Sequence, residues 1–279
     1  MQSVPSTATA VLDLLQASPI SADYLPICFL GKGAFGHVYK VERRLDKKFF
    51  ALKILPKERG DGENSTVDIK KAQRRERLFR QEIDVLRSNK TDHLIRFEAS
   101  FENGLAIFLV TEYCEGRDLK SYMQDSKIAQ LDEIQTSVVM SAVLKGLYLL
   151  HTKRNIIHRD IKPGRDLCLT TGNILIRKKP ESPGDLCEDE VCIGDFGLCV
   201  MLIPPFTNKA KVRCGTTLYN SPEQLEGCEY DYAVDMFSVS IMTATVLTGV
   251  HPFYRDKIHD MEGHKLANWS EVMSKPLSK

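Results

Sequence analysis

The stretch His158-Arg159-Asp160-Ile161-Lys162-Pro163 limits the folds open to this chain more than any other. It sets a carboxylate and an ammonium two positions apart and ends on a proline, which resists continuation of a helix. An acid that can orient a hydroxyl, beside a cation that can hold a phosphate, suits phosphoryl transfer. Six residues alone could be chance, so the rest of the chain has to supply the other parts in order.

Composition leaves room for this chemistry and closes off some alternatives. The 279 residues are 43% hydrophobic, enough for a core in one or two lobes. Lys plus Arg is 38 and Asp plus Glu is 37, a net charge of +1 that gives no reason to expect nucleic acid as the main partner. No signal peptide is evident, and the apolar run near Val239 to Val250 is too short to span a bilayer. Eight cysteines occur with no C-x-x-C pair, which reads as free thiols in a reducing compartment. A soluble cytoplasmic or nuclear protein, with no membrane partner, is expected.

Along the chain, residues 1–23 read as an N-terminal tail with a short apolar pattern (Val11, Leu12, Leu14, Leu15), expected to dock only weakly. From Tyr24 to Leu55 the pattern is β-like, with Tyr39 and Val41 alternating with polar neighbours. Gly60 to Ser65 reads as a polar loop. Arg74 to Arg87 reads as an amphipathic helix with Phe79, Ile83 and Leu86 on one face. Ile95 to Glu112 reads as two strands joined at Asn103-Gly104. After Tyr113 the pattern turns helical, with a long buried helix through Val139, Val143 and Leu150 and another from Asp235 to Val246. A β-rich N-terminal lobe therefore precedes a helical C-terminal one.

Gly31-Lys32-Gly33-Ala34-Phe35-Gly36 carries G-x-G-x-x-G. Dinucleotide-binding folds share this spacing, but there the third glycine opens a helix, whereas His37 to Glu42 reads as a strand. Glycines between two strands let backbone amides close over phosphates. Lys53 sits on an apolar strand, which is costly unless its charge has a partner, and Glu82 on the next helix is the candidate. Most strand lysines and helix glutamates face solvent, so both gain weight only from their place between the glycine loop and the Asp-x-Lys loop. Asp195 in Gly194-Asp195-Phe196-Gly197 is a hard oxygen ligand that Mg²⁺ prefers, although an ordinary Asp turn reads the same in isolation.

In order and spacing these segments resemble the eukaryotic protein kinases of serine/threonine type, from about Tyr24 to Phe253. The resemblance implies an α+β bilobal fold, with an N-lobe at 24–112 and a C-lobe at 113–279 that looks incomplete. It implies ATP and Mg²⁺ as cofactors and a protein Ser/Thr hydroxyl as acceptor. It assigns catalytic roles to Asp160, Lys162, Lys53 and Glu82. Leu30, Gly31, Lys32, Gly33, Ala34, Phe35, Gly36, His37, Val38, Ala51, Lys53, Glu112, Cys114 and Leu175 would bind the nucleotide, with Thr111 as gatekeeper. Asn173 and Asp195 would hold the metal. Thr216 would link Asp160 to Lys162, Asp235 would brace the loop backbone, and Arg159 would suit control by phosphorylation at Thr207 or Thr217. Ser221 to Gly227 with Tyr230-Asp231 looks like kinases of translation initiation factor 2α, although the short Ser100 to Phe108 segment departs from many of those.

Two departures stand out. Kinases place the metal asparagine two residues after the loop proline, whereas here residues 164–171 intervene. These extra residues either bulge outward and leave Asn173 in place, or displace it, and a shift of about 1 Å can cost ~10²-fold in rate. The sequence also stops soon after Phe253, where kinase C-lobes continue with further helices, so the 235–246 helix is expected to be under-covered. These departures keep a second reading open: a pseudokinase-like binding or scaffold module.

Overall fold

The computed structural model describes residues 14–15, 18–33, 36–57, 66–164, 172–178, 180–182, 185–202 and 210–253. The loop expected at 60–65 lies outside them.

Alternating apolar residues build the first layer. Strands β1 (Tyr24–Gly33), β2 (Gly36–Arg43), β3 (Phe49–Pro56), β4 (Phe97–Glu102) and β5 (Ala106–Glu112) form one antiparallel sheet in the order β1-β2-β3-β5-β4. Their two-residue period sorts the side chains onto two faces. Tyr39, Val41, Leu52, Ile54, Phe108 and Val110 pack on one face. Leu15 and Ile20 are fully buried against that face, so the described part of the N-terminal segment packs as part of the lobe. The other face carries Val38, Ala51, Lys53, Leu109 and Thr111. The β4–β5 turn closes as expected, with Asn103 Oδ1 accepting from the Leu105 and Ala106 amides at 2.8 Å.

Helix α1 (Thr66–Ser88) covers the Lys53 side of the sheet through Phe79, Ile83 and Leu86. It starts eight residues ahead of the expected Arg74. Its first half is charged, with Ile69 exposed, and offers no apolar stripe from which to read it.

The second lobe is mainly helical. Helices α2 (Leu119–Asp125) and α3 (Glu133–Tyr148) begin on Asp caps: Asp118 accepts from the Ser121 amide and Asp132 from the Gln135 amide. Strand β6 (Arg117–Asp118) pairs with β8 (Ile174–Ile176), and β8 with β9 (Val191–Ile193). Strands β7 (Ile156–Ile157) and β10 (Val200–Met201) form a separate pair. Helices α4 (Pro222–Glu226) and α5 (Ala233–Thr248) complete the described part. Val239, Met242 and Val246 bury one side of α5 against α3, while Met236 on the other side is 42% exposed. Residues 254–279 lie outside the described residues. The fold is thus the expected α+β bilobal one.

The lobes meet along β9. The Ile95 amide donates to Ile193 O at 2.8 Å and the Ile193 amide to His93 O at 3.0 Å. Arg177, just past β8, donates from Nε to both Glu112 carboxylate oxygens at 3.0 Å and from a terminal nitrogen to Leu94 O at 2.9 Å. One guanidinium thereby ties the second lobe to the chain that joins the two.

Candidate active site

Helix α5 sets the position of the 158–163 loop. The buried Asp235 accepts from the His158 and Arg159 amides at 2.8 Å each and from His151 Nε2 at 2.8 Å. His151 reaches it from a turn of π-helix at Leu149–Lys153, a local rewinding often found at functional sites. Its partner is 84 residues away, so nothing in the sequence marks His151. Arg159 adopts a positive φ of 70°, and its guanidinium donates to Leu198 O at 2.6 Å and Tyr230 Oη at 3.1 Å.

These supports fix a closed polar cluster. Asp160 Oδ2 accepts from Lys162 Nζ at 3.0 Å and from Asn173 Nδ2 at 2.8 Å. Asp160 Oδ1 accepts from Thr216 Oγ1 at 2.7 Å, and Thr216 Oγ1 in turn accepts from Lys162 at 2.8 Å. Gly215 delivers Thr216 to this point. It has φ 91°, and a Cβ there would lie 2.4 Å from Arg159 O, so only glycine fits.

Asn173 sits at the loop aspartate despite the intervening residues. Its Nδ2 also donates to Asp160 O at 2.7 Å, and its backbone N–H donates to Lys162 O at 3.2 Å. Its Oδ1 is buried without a hydrogen-bond partner among the described residues. An orphaned buried oxygen is costly and suits a cation ligand. Of the two alternatives for residues 164–171, the observed geometry is the one that leaves Asn173 in place.

A second cluster lies across the cleft. Lys53 Nζ donates to both Glu82 oxygens at 2.8 Å and to Asp195 Oδ1 at 3.0 Å. Burial works against the Lys53 charge, but Asp195 and Glu82 outweigh it and raise its pKa above the ordinary lysine value. Burial pushes the Glu82 carboxyl up. Burial also opposes the Asp195 charge, but Lys53 outweighs it and lowers the pKa. Asp195 keeps a third of its side chain exposed and sits in the left-handed region at φ 55°, while Phe196 beside it is fully buried against His158. Asn173 Oδ1 and the Asp195 carboxylate are both hard oxygens of the kind Mg²⁺ prefers.

The rest of the expected pocket lies where the sheet opens. Val38, Ala51 and Leu175 are half-buried, and Thr111 pairs across strands with Ala51. Leu175 reaches Gly194, where a Cβ would meet its Cδ1 at 2.7 Å. Cys114 O accepts from the Arg117 amide at 3.1 Å. Leu30 and Lys32 are exposed and Gly31 half-buried on β1. Gly33 pairs with Gly36 at the strand ends, and Ala34 and Phe35 lie outside the described residues. Gly36 has a reason of its own, since a Cβ there would stand 2.1 Å from Ile54 O. His37 pairs across strands with Lys32 of the glycine segment and with Ile54, and lies beside Phe29. The strand that follows Gly36 is β2, not the helix of a dinucleotide fold.

The fold thus brings a lysine–glutamate pair from the first lobe and an Asp-x-Lys loop with asparagine from the second to one site. In comparison with known proteins, the family model for the protein kinase domain matches residues 24–278, and the chain belongs to that family. An Aurora kinase of Patiria pectinifera is 33% identical over 80% of this chain and 47% of its own length. A mitogen-activated protein kinase kinase, SIPKK, of Nicotiana tabacum is 30% identical over 83% of this chain and 56% of its own. Serine/threonine-protein kinase 36 of Pongo abelii is 29% identical over 83% of this chain but only 15% of its own. The chain thus spans from about a seventh to somewhat over half the length of these relatives. They lend no support to the resemblance of Ser221 to Gly227 to kinases of initiation factor 2α, and that subfamily reading is set aside. No helix among the described residues is long and apolar enough to cross a membrane.

Proposed function

We propose that this chain is an active serine/threonine protein kinase domain, transferring the ATP γ-phosphate to a protein hydroxyl. The observation that carries the reading is the Asp160 carboxylate, held at once by Lys162, Asn173 and Thr216. Asp160 orients the acceptor hydroxyl and takes its proton. Lys162 steadies the transferred phosphate. Lys53, fixed by Glu82, positions the α- and β-phosphates. Val38, Ala51 and Leu175 sandwich the adenine, and the backbone of Glu112 and Cys114 reads its edge. Asn173 and Asp195 would hold Mg²⁺, which supplies neutralisation of the phosphate charge when bound with ATP. Catalysis is then mostly positioning and electrostatics.

A binding-only role, the second reading, draws part of its support from the extra residues at 164–171. The place of Asn173 beside Asp160 favours the active reading on that point. Phosphate incorporation from labelled Mg-ATP into a general protein substrate tests the proposal, with Lys53→Met and Asp195→Ala as controls. Incorporation equal in all three proteins would overturn it.

A further inference from the structure

Residues 164–171 separate Lys162 from Asn173, yet the two remain joined as though adjacent in a turn. The Asn173 amide donates to Lys162 O at 3.2 Å. The Pro163 carbonyl is engaged as well, accepting from the Lys120 amide at 3.0 Å at the start of α2. Asn173 O accepts from the Gly194 amide at 2.8 Å, which ties it to the strand entering Asp195. The chain therefore leaves at Gly164 and returns at Gly172 through a single point beside the Asp160 cluster.

That point is closed by two glycines in contact. A Cβ on Gly172 would stand 2.4 Å from Gly164 Cα, 2.6 Å from Gly164 N and 2.6 Å from Pro163 O. All three are backbone atoms and cannot swing aside. A Cβ on Gly164 would stand 2.2 Å from Asp118 Oδ1 and 2.4 Å from Lys120 Cβ. Gly164 is thus wedged between Gly172 and the capped first turn of α2. Gly164 is not among the residues with the positive φ that would demand glycine for conformational reasons. The requirement is space. Any side chain at 172 has to push Gly164 and Pro163 aside or shift its own backbone, to which Asn173 is directly bonded.

We propose that Gly164 and Gly172 are positioning residues: their backbone contact closes the 164–171 insertion at its base and so holds Asn173 against Asp160. The inference rests on the kinase reading for Asn173 as a metal ligand. It differs from the bland alternative, in which glycines merely loosen the ends of an extra loop, because loose ends tolerate alanine.

Removing residues 164–171 supplies the control. It leaves Lys162-Pro163-Gly172-Asn173, a four-residue turn with proline at its second position and the existing Lys162 O to Asn173 N–H bond across it. Type I turns favour proline there and accept most residues at the third position. Alanine at 172 then has no Gly164 to strike.

The test is Gly172→Ala in the full chain and in the chain lacking 164–171. Two quantities are read: kcat, and the affinity for Mn²⁺ by electron paramagnetic resonance with a non-hydrolysable ATP analogue. In the full chain we expect kcat to fall by about 10- to 100-fold, the range for roughly 1 Å of misplacement, with weakened Mn²⁺ binding. In the shortened chain the effect should shrink to about twofold. Gly164→Ala, which meets the Asp118 cap and Lys120 Cβ from the other side of the same contact, gives the kinetic reading if Gly172→Ala does not fold. An unimpaired Gly172→Ala full chain, or an equal loss in both backgrounds, overturns the inference while leaving the kinase reading intact. A wild-type chain that binds Mn²⁺ and nucleotide without transferring phosphate sinks the kinase reading alone, and the Mn²⁺ comparison still decides the glycines. A wild-type chain that binds neither sinks both.

Discussion

Lys53 Nζ lies 2.8 Å from both carboxylate oxygens of Glu82, and the same ammonium reaches Asp195 at 3.0 Å. One cation therefore joins strand β3, helix α1 and the segment after β9. Removing it leaves two acids without their counter-charge, and a broken buried ion pair costs about 3–5 kcal/mol. Lys53→Met should abolish phosphate transfer and lower the melting temperature. Adding Glu82→Gln should recover part of the stability, because no ionised Glu82 is then stranded, and none of the activity. Calorimetry beside a transfer assay separates the two effects. A double variant no more stable than Lys53→Met would show that Glu82 is not what the lysine neutralises.

Thr216 contributes a single hydroxyl, which donates to Asp160 and accepts from Lys162. Losing a hydrogen bond to a charged group costs roughly 1.5 kcal/mol or more, about tenfold in rate when the group acts in the transition state. Thr216→Ala should lower kcat by about tenfold with little change in the KM for ATP, because Thr216 touches the loop and not the β3 lysine. Thr216→Ser, which keeps the hydroxyl, should restore most of it. Steady-state kinetics on the two variants decide; equal losses would mean that the methyl packing, not the hydroxyl, matters.

The residues proposed to carry chemistry each stand in a short local pattern that makes them legible as candidates: Lys53 on an apolar strand, Asp160 and Lys162 before a proline, Asp195 between glycines. Fold class followed from the change of period near Tyr113. What escaped were contacts made over long chain distances. Arg177 meets Glu112 from 65 residues away and His151 meets Asp235 from 84, and neither spacing leaves a trace in the sequence. The burial of Leu15 and Ile20 was missed for a related reason: four apolar residues in a polar segment do not reveal the sheet face that receives them. The fate of Asn173 turned on whether Gly164 and Gly172 could touch, which is a matter of three-dimensional closure.

His251 offers a pH test. Its Nδ1 accepts from the Phe253 amide at 3.3 Å, so in the neutral ring Nε2 carries the proton and donates to Leu218 O at 2.9 Å. Burial lowers its pKa from the ordinary 6.5, the Leu218 carbonyl works against this, and the Lys120 charge adds to the lowering. The folded state thus binds fewer protons here than the unfolded chain. This contribution to stability is intact above pH 6.5 and is lost as pH falls through the lowered value. His37, also lowered by burial, acts with the same sign. Urea midpoints should therefore drop between about pH 7 and 5, and His251→Gln should flatten part of that slope. An unchanged slope in His251→Gln would assign it elsewhere.

Deleting residues 164–171 tests whether the extra chain limits the reaction. If it held Asn173 away from Asp160, restoring the shorter spacing would raise activity. Asn173 already donates to Asp160 Oδ2 at 2.8 Å and to Asp160 O at 2.7 Å. The turn that deletion creates also reuses a hydrogen bond that already exists between Lys162 and Asn173. Loop closure favours the shorter chain only slightly, by well under ~1 kcal/mol. The deleted chain should therefore melt at or slightly above the parent's temperature and keep its kcat within about threefold, which corresponds to well under 1 kcal/mol in the barrier. A rise of tenfold or more would mean that Asn173 leaves its place during turnover, and would make residues 164–171 a brake on the enzyme.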